Sequence, residues 1–141
     1  MAARRILVPV NGNPTDDEMI ALACQLARPS RAHVHAIHVI EVKRSLPLDA
    51  DLAPEAARGE EVLDRAERIA EQWDLEIESE LLQARDVGTA IVDEAIAREV
   101  DLILLGITYK KRFGEFALGK TAPYVLKNAP CRVWVCRQAT S

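Results

Sequence analysis

The chain has 141 residues, 49% apolar and 28% charged, with a formal net charge of -4. That length is enough for one domain with a substantial core, expected to span residues 1–141, and the acidic balance counts against a general nucleic-acid binder. No apolar run nears the roughly 20 residues of a membrane span, and "MAARRILVPVNG" has too short an apolar stretch for a signal peptide, so a soluble, cytoplasmic protein is expected.

In chain order, "RRILVPV" reads as a short buried strand over about residues 4–10, ended by the turn "NGNP". Thr15 stands three residues before Glu18, the spacing of a capping box that opens a helix. Met19, Ile20, Leu22, Ala23, Leu26 and Ala27 give this helix one apolar face, and Pro29 is expected to stop it. "AHVHAIHVIEV" (32–42) is the second strand, and the proline-containing, charged "KRSLPLDADLAPE" is a surface loop.

From Glu55 to Trp73 the apolar spacing is again helical. "LEIESELLQA" is a third strand, in which Ile77 alternates with glutamates, as expected near a sheet edge. "DVGTAIVDEAIAREV" predicts a third helix with Ile91, Val92, Ala95 and Ile96 inward and the Glu94–Arg98 pair outward. "DLILLGI" is almost wholly apolar and belongs in mid-sheet. A loop, a short helix near 121–128, Pro130 and the strand "CRVWVCR" complete the chain.

The order βαβαβαβαβ implies a parallel sheet with helices on both faces. In such sheets ligands bind beyond the carboxyl ends of the strands, where the winding reverses.

One motif competes with that placement. Gly114, Gly119, Lys120 and Thr121 match G-x-x-x-x-G-K-T, the Walker A spacing. A phosphate-cradling loop of that kind springs directly from a strand, whereas "YKKRF" precedes Gly114. Only twenty residues follow Thr121, no apolar strand ends in a Walker B aspartate, and Pro123 removes a backbone donor from the helix start. A Walker A NTPase therefore ranks last among the functional alternatives.

Read whole, the chain resembles the universal stress protein family, on "ILVPVNG" at the first strand, "VHAIHVI" at the second and "DLILLGITYKKRFGEFALGKTAPYVLKNAPCRVWVCR" at the end. The resemblance implies a three-layer α/β sandwich around a five-stranded parallel sheet of strand order 3-2-1-4-5. It also implies an adenine nucleotide (ATP, ADP or AMP) in the cleft between the first and fourth strands. Nucleotide-binding members carry G-2x-G-9x-G-(S/T) after the fourth strand. Gly106 and Gly119 fall on the outer glycines, where they would let backbone approach phosphate. Tyr109 occupies the middle glycine position, Lys120 the Ser/Thr position with Thr121 one residue late, and Asn11 the position of an aspartate near the nucleoside. Asn11 still donates and accepts hydrogen bonds, and Lys110, Lys111, Arg112 and Lys120 add positive charge. Val39 matches a position that packs the adenine.

Other residues carry less. His33 and His35 share a strand face and His38 looks away, without a completing carboxylate or thiol, so no metal site is indicated. Cys24, Cys131 and Cys136 lack a C-x-x-C and read as buried, reduced thiols. "VWV" is an edge strand with apolar residues on both faces, and the resemblance implies that it pairs across a homodimer axis through Arg132–Cys136. No residue stands out as a general base or nucleophile, so at most slow ATP hydrolysis is expected. The leading expectation is a stress-response or signalling domain that binds an adenine nucleotide. The alternative is a nucleotide-free dimeric interaction or regulatory module, possibly fused to or acting on a transporter.

Overall fold

The computed structural model describes residues 3–109 and 119–139. The elements are β1 (Arg5–Pro9), α1 (Asp16–Ser30), β2 (His33–Glu41), α2 (Ala53–Gln72), β3 (Glu78–Ala84), α3 (Val87–Ala97), β4 (Leu102–Tyr109), α4 (Thr121–Asn128) and β5 (Arg132–Ala139). All strands are parallel, in the order β3-β2-β1-β4-β5. This is the expected three-layer sandwich.

Alternation along the strands sorts the core into two halves. Ile6, Val8, Val34, Ala36, Leu102 and Leu104 face α1 and α2. Leu7, Ile37, Ile103 and Leu105 face α3 and α4. The near-continuous apolar runs of β1 and β4 follow from burial on both faces in mid-sheet. β3 lies at one edge, with no fully buried residue in its pattern, as its glutamates anticipate.

Several local expectations are corrected. Thr15 makes no side-chain cap; its hydroxyl donates instead to Oδ1 of Asn13. Pro29 lies inside the last turn of α1, and the helix ends when Arg31 enters the left-handed region at φ 55°, with Ala32 N–H donating to the Ala27 carbonyl at 3.0 Å. β3 begins at Glu78, so Ile77 precedes it. Ile96 is 57% exposed, since Ile91, Val92 and Ala95 already fill the inward stripe of α3. Glu94 and Arg98 do pair, at 2.7 Å, but both side chains are half-buried rather than outward, because Arg98 also reaches Glu80 across to β3. Of the cysteines only Cys24 is fully buried; Cys131 and Cys136 are half-buried and none is disulfide-bonded.

The ladders differ in length, and that difference makes the site. β1 pairs with β2 over five residues, from Arg5–His33 to Pro9–Ile37, whereas β1 and β4 pair only at Ile6–Leu102 and Leu7–Ile103. Above Leu7 the sheet opens along the β1/β4 seam. Pro9 sits at this opening. Val10 N–H points to β2, donating to the Ile37 carbonyl at 2.8 Å. By alternation, the donor that Pro9 lacks would have pointed to β4, where no rung forms, so a proline in a central strand costs nothing there.

Candidate functional site

The opened seam is a cleft of about 290 Å³ at the carboxyl edge. Ile37, Val39, Leu105 and Ile107 give it apolar walls, while Asn11, Asn13, Thr108 and Thr121 supply polar groups. An apolar slot with a few convergent hydrogen-bonding groups is the usual form of a small-molecule site.

The polar side is built by the loop after β1. Asp16 accepts from the Gly12 amide at 2.7 Å and from the Asn11 amide at 3.4 Å. Burial outweighs those two amide hydrogen bonds and raises the Asp16 carboxyl above its usual range. Asn11 Oδ1 accepts from the Asn13 amide at 3.1 Å, and Asn13 Oδ1 from the Thr15 amide at 2.9 Å. Both asparagines thus use their oxygens to fold the loop, which assigns their orientation and leaves the Nδ2 groups without a partner among the described residues.

The structure gathers four of the predicted residues. Asn11, Val39, Gly106 and Thr121 all line the cleft. Gly119 and Lys120 do not line it; they precede α4, Gly119 in the left-handed region at φ 71°. Lys120 Nζ stands 3.3 Å from Oε1 of Glu41, at the end of β2. Gly114, Lys110, Lys111 and Arg112 lie outside the described residues.

Gly106 has a structural reason different from the expected phosphate approach. A Cβ built there would lie 2.4 Å from Thr15 Oγ1 and 2.7 Å from Met19 Cγ, on the α1 side of the sheet. The glycine lets the first turn of α1 press against β4, while its backbone still borders the cleft.

Sequence reasoning missed Asn13, Ile107 and Thr108 on the lining, and Glu41, which borders a groove against α2 and contacts Lys120. Alternation from Val39 through Glu41 would have placed Glu41 on the cleft side of β2. The partner of Lys120 lies 79 residues away in sequence and left no local signal.

A separate groove of about 650 Å³ lies on the other side of the Asn11 loop, against α2, and is lined among others by His38, Arg58 and Arg65. His38 Nδ1 donates to the Val10 carbonyl at 2.8 Å. His35 lies toward the amino edge and the opposite face, nearly buried. Among the described residues no group of three or more His, Cys, Asp or Glu is placed to hold a metal ion, and no helix is long and apolar enough to cross a membrane.

Sheet order and cleft together define a doubly wound α/β protein whose candidate site is the switch point between β1 and β4. The universal stress protein family model matches residues 2–137, and the chain belongs to that family. It is 31% identical to a universal stress protein of Methanocaldococcus jannaschii, across 96% of this chain and 82% of that one. The solved structure of a universal stress protein from Archaeoglobus fulgidus shares the fold with a TM-score of 0.78 at 22% identity, covering 94% of this chain and 97% of that one. A second structure of the universal stress protein from that organism, in complex with dAMP, gives 0.75 at 23% identity, with 96% and 98% covered.

Proposed function

We propose that residues 1–141 act as one nucleotide-binding domain, with an adenine nucleotide (AMP, ADP or ATP) in the β1/β4 cleft. The observation that carries this is the opened seam itself: an apolar slot ending in side-chain donors that have no partner among the described residues, beside the start of a helix. Val39, Ile37 and Ile107 would sandwich the base, and the Nδ2 groups of Asn11 and Asn13 would meet acceptors on the nucleoside. Thr121 and the first amides of α4, with Lys120 near, would meet phosphate. Family membership supports this function, as does a protein of the same fold in complex with dAMP. The domain would serve stress response or signalling in the cytoplasm, where free thiols persist.

Calorimetric titration with AMP and ATP tests it. The wild type is expected to bind saturably below millimolar ligand, and Val39→Trp, which fills the slot, to lose about tenfold or more in affinity at unchanged helical content. Silence at millimolar nucleotide would remove this function.

A nucleotide-free, dimeric interaction module is the second reading, favoured by one observation. β5 is a sheet edge whose Val133 and Val135 pack toward one core half and Trp134 and Cys136 toward the other, all half-buried. A second copy across Arg132–Cys136 would pair that edge and cover its apolar residues. Homodimerisation is compatible with nucleotide binding; protein purified without any bound nucleotide, and indifferent to added AMP, would leave the module alone standing.

A further inference from the structure

We propose that Glu41 is an internal competitor for the cation at the mouth of the cleft, so that it sets selectivity among ligands by their phosphate charge. This rests on the nucleotide function proposed above and concerns the same site.

Glu41 lies two residues beyond Val39 on β2, hence on the same face, and Lys120 immediately precedes Thr121. Val39 and Thr121 both line the cleft. The 3.3 Å contact between Lys120 Nζ and Glu41 Oε1 therefore ties the end of β2 to the start of α4 beside two lining residues, although Glu41 itself borders the α2 groove. A second carboxylate stands close. Asp86, the cap of α3, is held below the usual carboxylate range chiefly by the Thr89 amide, and the nearby charge of Lys120 adds to that. Lys120 thus meets two carboxylates, Glu41 by direct contact and Asp86 through space, while Arg85 is engaged by the Val42 and Lys43 carbonyls next to Glu41.

A phosphate arriving at the start of α4 gains Lys120 fully only when the Glu41 carboxylate lets go. Glu41 also repels the incoming charge through space. An uncharged nucleoside needs neither exchange, because it can fill the apolar slot and meet the asparagine donors with the ion pair intact. The size of the effect follows from exposure. The side chains of Lys120 and Glu41 are 73% and 48% exposed, and an ion pair so open to water is weak. The pair therefore biases binding by a modest factor rather than locking the site.

The experiment compares dissociation constants for adenosine, AMP and ATP across wild type, Glu41→Gln, Lys120→Gln and the double variant, at low and high salt. Both positions are exposed, so the variants are expected to fold. Glu41→Gln should tighten AMP by about three- to tenfold, ATP at least as much and adenosine by no more than about twofold, with the gain shrinking at high salt. The two substitutions should be non-additive for AMP, since each removes one partner of the same exchange. Equal gains for adenosine and AMP, additive effects, or AMP affinity unmoved by Glu41→Gln while the wild type binds normally would overturn the inference alone. If neither adenosine nor AMP binds the wild type at millimolar concentration, the nucleotide function fails and takes the inference with it.

Discussion

The two ends of the sheet are built on opposite plans. At the amino edge, charged side chains stitch the layers together. Arg98, at the end of α3, donates to Glu94 at 2.7 Å and to Glu80 of β3, and its Nη1 lies 3.1 Å from Nδ1 of His35. Arg5 and Asp101 add ties between β1 and the start of β4: Asp101 accepts from the Arg4 and Arg5 amides at 2.8 and 3.1 Å. At the carboxyl edge the corresponding rungs between β1 and β4 are missing, the two asparagines fold a loop, and the bridge from β2 to the start of α4 is the exposed Lys120–Glu41 pair. One end holds the domain together; the other is left with donors and space. A parallel sheet can carry a site of this kind because the stitching lies at the end away from it.

Three perturbations separate these roles. The largest expected effect comes from Gly106→Val, where side chain would be forced into Thr15 and Met19. Overpacking of this kind costs about 1–3 kcal/mol, and because it pushes α1 and its loop away from β4, denaturant unfolding and AMP affinity should both suffer. Arg98→Ala comes next. It strands Glu80 and Glu94 without their shared cation and should lower unfolding free energy by about 1–2 kcal/mol, less than for a fully buried group because Arg98 stays partly solvated. AMP affinity should not change, since the cleft lies at the other end. A loss of binding in Arg98→Ala equal to that in Gly106→Val would erase the division between the two ends.

The smallest effect is in pH. Nδ1 of His35 is 3.1 Å from Arg98 and 3.2 Å from a Glu78 oxygen, and one ring nitrogen cannot accept from the first and donate to the second at once. Burial is the largest influence and depresses the imidazole below its usual 6.5, so the neutral ring accepting from Arg98 is the form that holds. A folded pKa below the unfolded one means that the unfolded chain binds the extra proton more readily. The stabilisation is thus complete above the unfolded value and is lost as pH falls from there through the depressed folded value. Unfolding titrations from neutral to mildly acidic pH should show stability falling, with a shallower slope in His35→Gln. Identical slopes would remove His35 from the amino-edge network.

Much of this was legible in the sequence. The apolar runs of β1 and β4, the helical spacing of α1 and α2 and the glutamates of β3 report how many faces each element buries, and burial is what periodicity records. Asn11, Val39, Gly106 and Thr121 sit at the carboxyl ends of strands or the start of a helix, so topology alone carried them to one cleft. What stayed hidden depends on contacts between distant segments. The reason for Gly106 is a threonine 91 residues earlier whose side chain takes the space a β-carbon would need. Lys120 reads as a phosphate ligand until Glu41 is seen beside it, and Glu94–Arg98 reads as a surface pair until β3 and β2 are brought up to it. The cap expected at Thr15 does not form because its backbone is already helical, at φ -79° and ψ -16°, where a capping residue is extended.

The central claim is that the ligand enters the β1/β4 seam. Amide and methyl chemical-shift mapping during an AMP titration tests it most directly. Shifts should cluster on Val39, Leu105, Ile107 and Ala122, leaving Arg58 and Arg65 in the α2 groove and His35 and Arg98 at the amino edge unmoved. Shifts gathered in the α2 groove, with the seam silent, would contradict it.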